Sequence, residues 1–583
     1  MDTKRPDDAP PLVVPEAEAA VPVPLLHRRG WRAFRVDPAG VAVATLFALQ
    51  AMTPSLMPRS WVFQSVASGV SGAIGYGIGV LVWSLLRRTR AYRRLADRVR
   101  SRVSEPVRRR IWLALAAAVP TSLVLVLVVA SDWQRQTRVL VGLSPETSSG
   151  WLRAAPLIIA IVAVVVAVFR LFRLVARWVA VLLRRWTRLP RGVAQAVGLA
   201  VAAVLAFGLF DKVLLGWELS AADAAFSLAN SQTLPGVHQP LAPERSGSPS
   251  SLSPWSTLGV YGQQVVAGGP SRARMAKAAG IPETAVKEPI RVYVGLGAAN
   301  TPARRAQLAV AELERTGAFD RAVLCVATST GTGWIDSAAP KSLELMYGGN
   351  TAFVTTQYSY LPSWISFLLD RSRADAEGRA LFDAVYTRVH ELPANHRPKL
   401  VVYGLSLGSA GSEGAFSSLG DVRARTDGAL WAGPTNNNKL WSVLVDRRDP
   451  GTTEAAPVYA DGLVVRFGDR PRDLLSPARP WLAPRVAYLM HPTDPVMWWS
   501  PHLLFARPAW LAEPRGRGVS PSMRWYPVVT FWQVSVDLAN AASPPQGFGH
   551  NYGAEMLDAW ALVLPPPGWT AADTARARAV FLQ

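Results

Sequence analysis

Five apolar runs crowd the first third of this 583-residue chain, at about 39–57, 64–86, 111–131, 154–174 and 193–214. Each is close to the ~20 residues that a bilayer-spanning helix requires. A soluble fold has no use for five such segments in succession, so an α-helical transmembrane bundle of five spans is expected, with four as the alternative. Pro54 and Pro120 fall within two of the runs; spanning helices tolerate such kinks because neighbours re-satisfy the freed backbone groups. Arg170 and Arg173 interrupt the end of the fourth run, where their long stems reach the interface. No short apolar stretch with a small-residue cleavage site starts the chain, so a removable signal peptide is not expected.

Charge orients the bundle. The formal net charge of +21 points either to nucleic acid or to an anionic membrane surface. Its distribution favours the membrane and argues against nucleic acid, because arginines crowd between apolar runs. The tail carries Arg28, Arg29, Arg32 and Arg35, and RRTRAYRRLADRVRSRVSEPVRRR follows the second run. Arg177, Arg184, Arg185, Arg188 and Arg191 lie between the fourth and fifth. The intervening loops are poorer, with Arg59 in the first and Arg135 and Arg138 in the second. Basic segments alternate with poor ones, as an N-inside, five-span plasma-membrane topology demands. The rest of the chain then emerges on the outer face; four spans would leave it in the cytoplasm. Gly75 and Gly79 form a GxxxG pair suited to close helix packing within the bundle. The run at 178–189 reads as an interfacial amphipathic helix, not a sixth span.

Four segments follow: a polar tail (1–36), the transmembrane domain (37–214), a Ser/Pro/Gly-rich linker (215–254) and a domain from 255 to 583. In the last, IRVYVGL, RAVLCVA, TAFVTTQYS, KLVVYGL, DGALWAG and RVAYLM alternate with helical spacings such as PARRAQLAVAELERTG. That is the signature of βαβ units on a mostly parallel, doubly wound sheet. Cys325, the sole cysteine, sits in an apolar strand and reads as a buried structural thiol, excluding a disulfide or a cysteine zinc cage. No metal or cofactor is expected.

One segment carries chemistry. In KLVVYGLSLGSAG an apolar strand runs into Gly404-Leu405-Ser406-Leu407-Gly408 and then into small residues able to begin a helix. G-x-S-x-G between strand and helix is the nucleophile elbow, which lifts a serine hydroxyl clear of the sheet. The Leu407 N–H, at a helix start, then faces a developing oxyanion. A second donor is expected from ATSTGTGW (327–334), at Gly331, Thr332 or Gly333, although an ordinary flexible turn reads as well. A phosphate cradle is the rival there, but the lysine and spacing of a P-loop are absent.

A serine hydroxyl needs a base, and the base an orienting acid, in the chain order Ser, Asp or Glu, His on such a sheet. Asp494 follows RVAYLM directly, and His550 lies in the glycine-rich loop QGFGHNYG near the end; these are the expected acid and base. His491 is too close to Asp494 to be the separate base and reads as a hydrogen-bonded loop histidine. His502 reads as structural. Asp537 and Asp558 fall in helix-like stretches suited to solvated or capping roles, and Asp469 and Asp473 in a solvent-facing loop. The Trp-rich stretches 497–510 and 523–533 read as core packing, with an apolar cap or bilayer contact as the alternative.

Together SLMPRSWVFQSVASGVSGAIGYGIG, EPIRVYVGLGAANTPARRAQLAVAELERTGAFDRAVL, ATSTGTGW, QYSYLPSW, YGLSLGSAGSEGAF, WAGPTNNN and HPTDPV resemble a bacterial family of α/β-hydrolases. That family joins a multi-span N-terminal membrane domain to a C-terminal hydrolase domain. The likeness implies an α/β-hydrolase fold and a membrane location, but no substrate. The elbow reads GLS here where the family has GES. The expected function is a membrane-anchored, esterase- or lipase-like serine hydrolase, its partners the lipid bilayer and an acyl-ester substrate. An acyltransferase using the same acyl-enzyme, and a non-catalytic binding module, are the alternatives.

Overall fold

The computed structural model describes residues 36–90, 92, 94, 104–145, 149–187, 190–209, 230–361, 366–367 and 371–583. Valine-rich runs of five to seven residues, buried on both faces, can satisfy their backbone only in a covered sheet. They form β1 (Ile290–Val294), β2 (Val323–Thr328), β3 (Thr351–Thr356), β4 (Lys399–Leu405), β5 (Gly428–Ala432) and β7 (Arg485–Leu489). Between the last two runs a four-residue strand, β6 (Val465–Gly468), was not anticipated. The sheet is parallel throughout, in the order β1-β3-β2-β4-β5-β7-β6.

Successive side chains feed two cores: Val292, Leu324 and Val402 on one face, Tyr293, Cys325 and Tyr403 on the other. Burial in that second core pushes the Cys325 thiol pKa well up, as expected for an inert structural cysteine. Register brings four strand ends level. Thr328 pairs with Gly404, Leu405 with Ala432, and Ala432 with Leu489. Whatever follows β2, β4, β5 and β7 therefore shares one edge, where open parallel sheets bind ligands.

Part of the stretch expected to be a linker is built into this domain. Arg245 bridges to Arg291 of β1, and Ser246 and Ser253 are fully buried.

The N-terminal part contains α1 (Pro38–Ala51), α2 (Trp61–Leu86), α3 (Glu105–Leu140), α4 (Ala154–Trp186) and α5 (Arg191–Leu209). Among the described residues, two helices are long and apolar enough to cross a membrane, Trp61–Leu86 and Trp151–Trp186. The expected five-span bundle is therefore not supported. The first run, 39–57, was misjudged because two burials adjoin in sequence. The 14-residue α1 rises only about 21 Å, short of a ~30 Å hydrocarbon core. The apolar residues after it, Leu56 and Met57, belong to the core of the sheet domain. Among the described residues the apolar part of α5 is Gly192–Val204; the end of the fifth run, 210–214, and the first part of the expected linker, 215–229, lie outside the described residues. The run at 178–189 is largely the continuation of α4. Gly75 and Gly79 do mediate packing within the bundle: a Cβ on Gly79 would lie 2.6 Å from the Ala39 carbonyl oxygen.

Two further helices position the site, α6 (Leu407–Glu413) after β4 and α7 (Val529–Leu538) against the α1–α2 turn.

Candidate active site

The turn from β4 into α6 leaves Ser406 no ordinary backbone choice. Its φ and ψ are 57° and −129°, a left-handed conformation costing a non-glycine residue about 1–3 kcal/mol. The flanking glycines have no room for a side chain. A Cβ on Gly404 would stand 2.3 Å from the Gly408 carbonyl oxygen, and one on Gly408 2.3 Å from that of Thr328. Packing therefore requires both glycines of GLSLG.

Asp494 caps the short helix Pro495–Trp498 through the Val496 N–H, 2.9 Å from Oδ1. Its other oxygen, Oδ2, lies 2.7 Å from His550 Nδ1 and accepts from the Tyr552 hydroxyl at 2.9 Å. The carboxylate is fully buried and the imidazole is 13 % exposed. A carboxylate only accepts, so Nδ1 carries the proton and Nε2 presents its lone pair. Nε2 is buried and has no hydrogen-bond partner among the described residues. The expected Ser406–His550 hydrogen bond is thus not made; such contacts are often long without substrate. The two residues still share one corner: Ser406 N–H donates to the Ala432 carbonyl at 3.0 Å, and the next residue, Gly433, abuts the His550 ring.

The loop after β2 borders the elbow where Gly408 meets Thr328 and Ser329. It is pinned by Gly333 N–H to Thr330 O (2.9 Å), Tyr293 hydroxyl to Gly333 O (2.9 Å) and Gln357 Nε2 to Thr332 O (2.8 Å). The Gly331 and Thr332 amides stay outside these bonds. Leu407 N–H is the first amide of α6 and has no acceptor within its own helix.

Two family models match, one described as the alpha/beta-hydrolase family over residues 290–577, the other as the N-terminus of that family over 52–270. The chain belongs to the alpha/beta-hydrolase family. No curated protein and no solved structure matches it.

Apart from His502, expected to be structural, the other candidates in this hydrolase have structural partners. His491, fully buried, lies 2.8 Å from both the Gly549 carbonyl and Glu555 Oε2, a hydrogen-bonded loop histidine as read. His502 is exposed. Asp558 pairs with Arg578, Asp473 with Arg470 and Asp469 with Arg517. Asp537 overturns its expected solvated or capping role: it is buried and ion-paired with Arg59 at 2.7 Å. Trp498 and Trp510 stack in the core at 5.2 Å.

Three site residues escaped the sequence reading. Tyr552 keeps its proton because burial and the Asp494 charge push its hydroxyl far above the usual range. Asp336 lies within electrostatic reach of His550. Burial raises its carboxyl, against the Ala338 N–H that it accepts and the pull of His550. Glu413, at the end of α6, takes Asn438, Tyr488 and the Leu440 and Trp441 amides on its two oxygens. Burial outweighs those four donors and pushes it up to about 7. The His-x-Tyr spacing at 550–552 was the one available signal, and it is weak.

Proposed function

We propose that this chain is a membrane-anchored serine hydrolase, esterase- or lipase-like, that cleaves an acyl ester through a covalent acyl-enzyme. The observation that carries the reading is the His550 imidazole. One nitrogen is fixed on a buried carboxylate, the other is buried and unpartnered, and the ring abuts the residue after Ser406's own backbone partner.

In this mechanism Ser406 Oγ attacks the ester carbonyl carbon while Nε2 takes its proton. Asp494 offsets the imidazolium charge and holds the tautomer. The Leu407 N–H, with Gly331 or Thr332, receives the developing oxyanion. Imidazolium returns the proton to the departing alcohol, and water attacks the acyl-serine by the same route reversed.

The anchor reading rests on α4, many of whose apolar side chains face outward: Phe169 is 65 % exposed and Ile159 61 %. The uneven arginine distribution supports a cytoplasmic N-terminus; an extracytoplasmic hydrolase domain would further require the first run, 39–57, to cross. Moreover Arg59, in the loop between α1 and α2, is neutralised by its buried pairing with Asp537.

The test uses the full chain in detergent, with p-nitrophenyl esters of several chain lengths and a fluorophosphonate probe. Ser406→Ala and His550→Ala should abolish turnover and labelling. Asp494→Asn should cost on the order of 10⁴-fold in rate. Undiminished turnover in Ser406→Ala would refute the assignment.

A further inference from the structure

The α1–α2 turn lies inside the hydrolase domain, not merely against it. Leu56 and Met57 are fully buried there, and Asp537 of α7 gathers the turn around itself. Arg59 Nε donates to Asp537 Oδ1 at 2.7 Å, and the Leu56 N–H to Oδ2 at 3.2 Å. The Ser55 hydroxyl donates to the same oxygen. Arg59 also reaches the Gln533 carbonyl at 3.0 Å, and Gln533 returns its amide to the Thr53 carbonyl at 3.0 Å.

From α7 the contact continues to the base. Asn540 donates to the Pro58 carbonyl at 2.9 Å, and the next residue, Ala541, accepts the His550 N–H at 2.7 Å. A Cβ on Gly549 would sit 2.5 Å from that same Ala541 oxygen and 3.3 Å from Met57 Cε. The His550 backbone is therefore held by residues 540–541, which residues 55–59 hold in turn.

We infer that residues 53–59 of the N-terminal part are a positioning element for His550, with Arg59 and Asn540 as positioning residues. The inference rests on the role proposed for His550. Asp494 fixes the ring, but only the backbone sets where the ring stands relative to Ser406. A shift of about 1 Å in such a base costs on the order of 100-fold in rate.

The experiment uses the full chain in detergent and two variants. Asn540→Ala removes one hydrogen bond. Arg59→Met combined with Asp537→Leu replaces the buried pair by apolar side chains, an exchange that proteins commonly tolerate in stability. Both should lower kcat for a p-nitrophenyl ester at least about 10-fold with KM within twofold, and slow fluorophosphonate labelling in parallel. Amide exchange should quicken at 545–552 and stay unchanged in β4 and β5. Wild-type kcat in folded Asn540→Ala, with unchanged exchange in that loop, would overturn the inference. If the double variant does not fold, Asn540→Ala decides alone. If wild-type protein shows no Ser406-dependent turnover, the proposed function fails, and the exchange measurement still decides whether the turn holds the loop.

Discussion

Replacing Tyr552 by Phe removes a single oxygen from the buried network behind His550. The ring keeps its place, stacked on His491 at a centroid distance of 4.0 Å. Two bonds disappear: the hydroxyl's donation to Asp494 Oδ2 at 2.9 Å, and its acceptance of the His491 N–H at 3.2 Å. A hydrogen bond to a charged group contributes about 1.5–3 kcal/mol, and an orphaned buried donor costs about 1–3 kcal/mol. The longer second bond belongs at the low end of its range, so the variant should lose about 3–4 kcal/mol. Against a total stability of roughly 5–15 kcal/mol that is large but survivable. Because the Asp494–His550 bond remains, ester turnover should fall far less than in Asp494→Asn. Denaturant unfolding of the detergent-solubilised chain, followed by tryptophan fluorescence, gives the first quantity, and initial rates give the second. A stability loss under about 0.5 kcal/mol would mean that Tyr552 is not the second donor to Asp494 Oδ2, and the account of the buried carboxylate would fail.

Gly408→Ala places a methyl group 2.3 Å from the Thr328 backbone oxygen and should yield protein that is misfolded or inactive in the ester assay. A fragment starting near residue 255 loses Leu56 and Met57 from its core, about 1.5–3 kcal/mol each. It also leaves the Asp537 charge buried and unpaired, so it should be unstable in solution by circular dichroism where the full chain is not. Glu413 predicts a pH dependence. Below pH 4.5 its carboxyl is protonated folded or unfolded; between 4.5 and about 7 only the unfolded chain releases the proton, so stability falls as pH rises. The total loss is about 3 kcal/mol, complete above pH 7, and Glu413→Gln should flatten that slope in unfolding curves.

The elbow was legible because a strand, two glycines and a helix start leave few alternatives. The pairing of Asp494 with His550 followed from chain order, the loop after a late strand and a glycine-rich loop near the end. What escaped depended on contacts between distant segments. Asp537 looks like any helix carboxylate until Arg59, 478 residues earlier, is placed beside it. Leu56 and Met57 looked like the end of a spanning run because hydropathy records that a side chain leaves water, not whether lipid or protein receives it. Strand β6 was missed because four residues between charged loops give no period to read.

The burial of the α1–α2 turn sets a parity rule on how the chain can thread a bilayer. Residues 53–59 lie on the hydrolase domain, and so does the end of α3. Gln134 accepts the Arg59 N–H at 2.7 Å, and Gly142 packs on Phe548. Ala154, where α4 begins, accepts from Ser65 near the start of α2, and Asn230 is already bonded to Gln357 of the domain. Each departure from this face is therefore followed by a return. A crossing by α2 must be undone by α3, and one by α4 before residue 230, where α5 is the helix that runs back with Gly198 against Ala176 and Ala180. If the chain spans a bilayer, these contacts require an even number of crossings between residues 60 and 230, with the hydrolase domain on the side of the α1–α2 turn. Reporters inserted near 95 and near 188 should agree with each other, and a reporter at 145 should agree with one at the C-terminus.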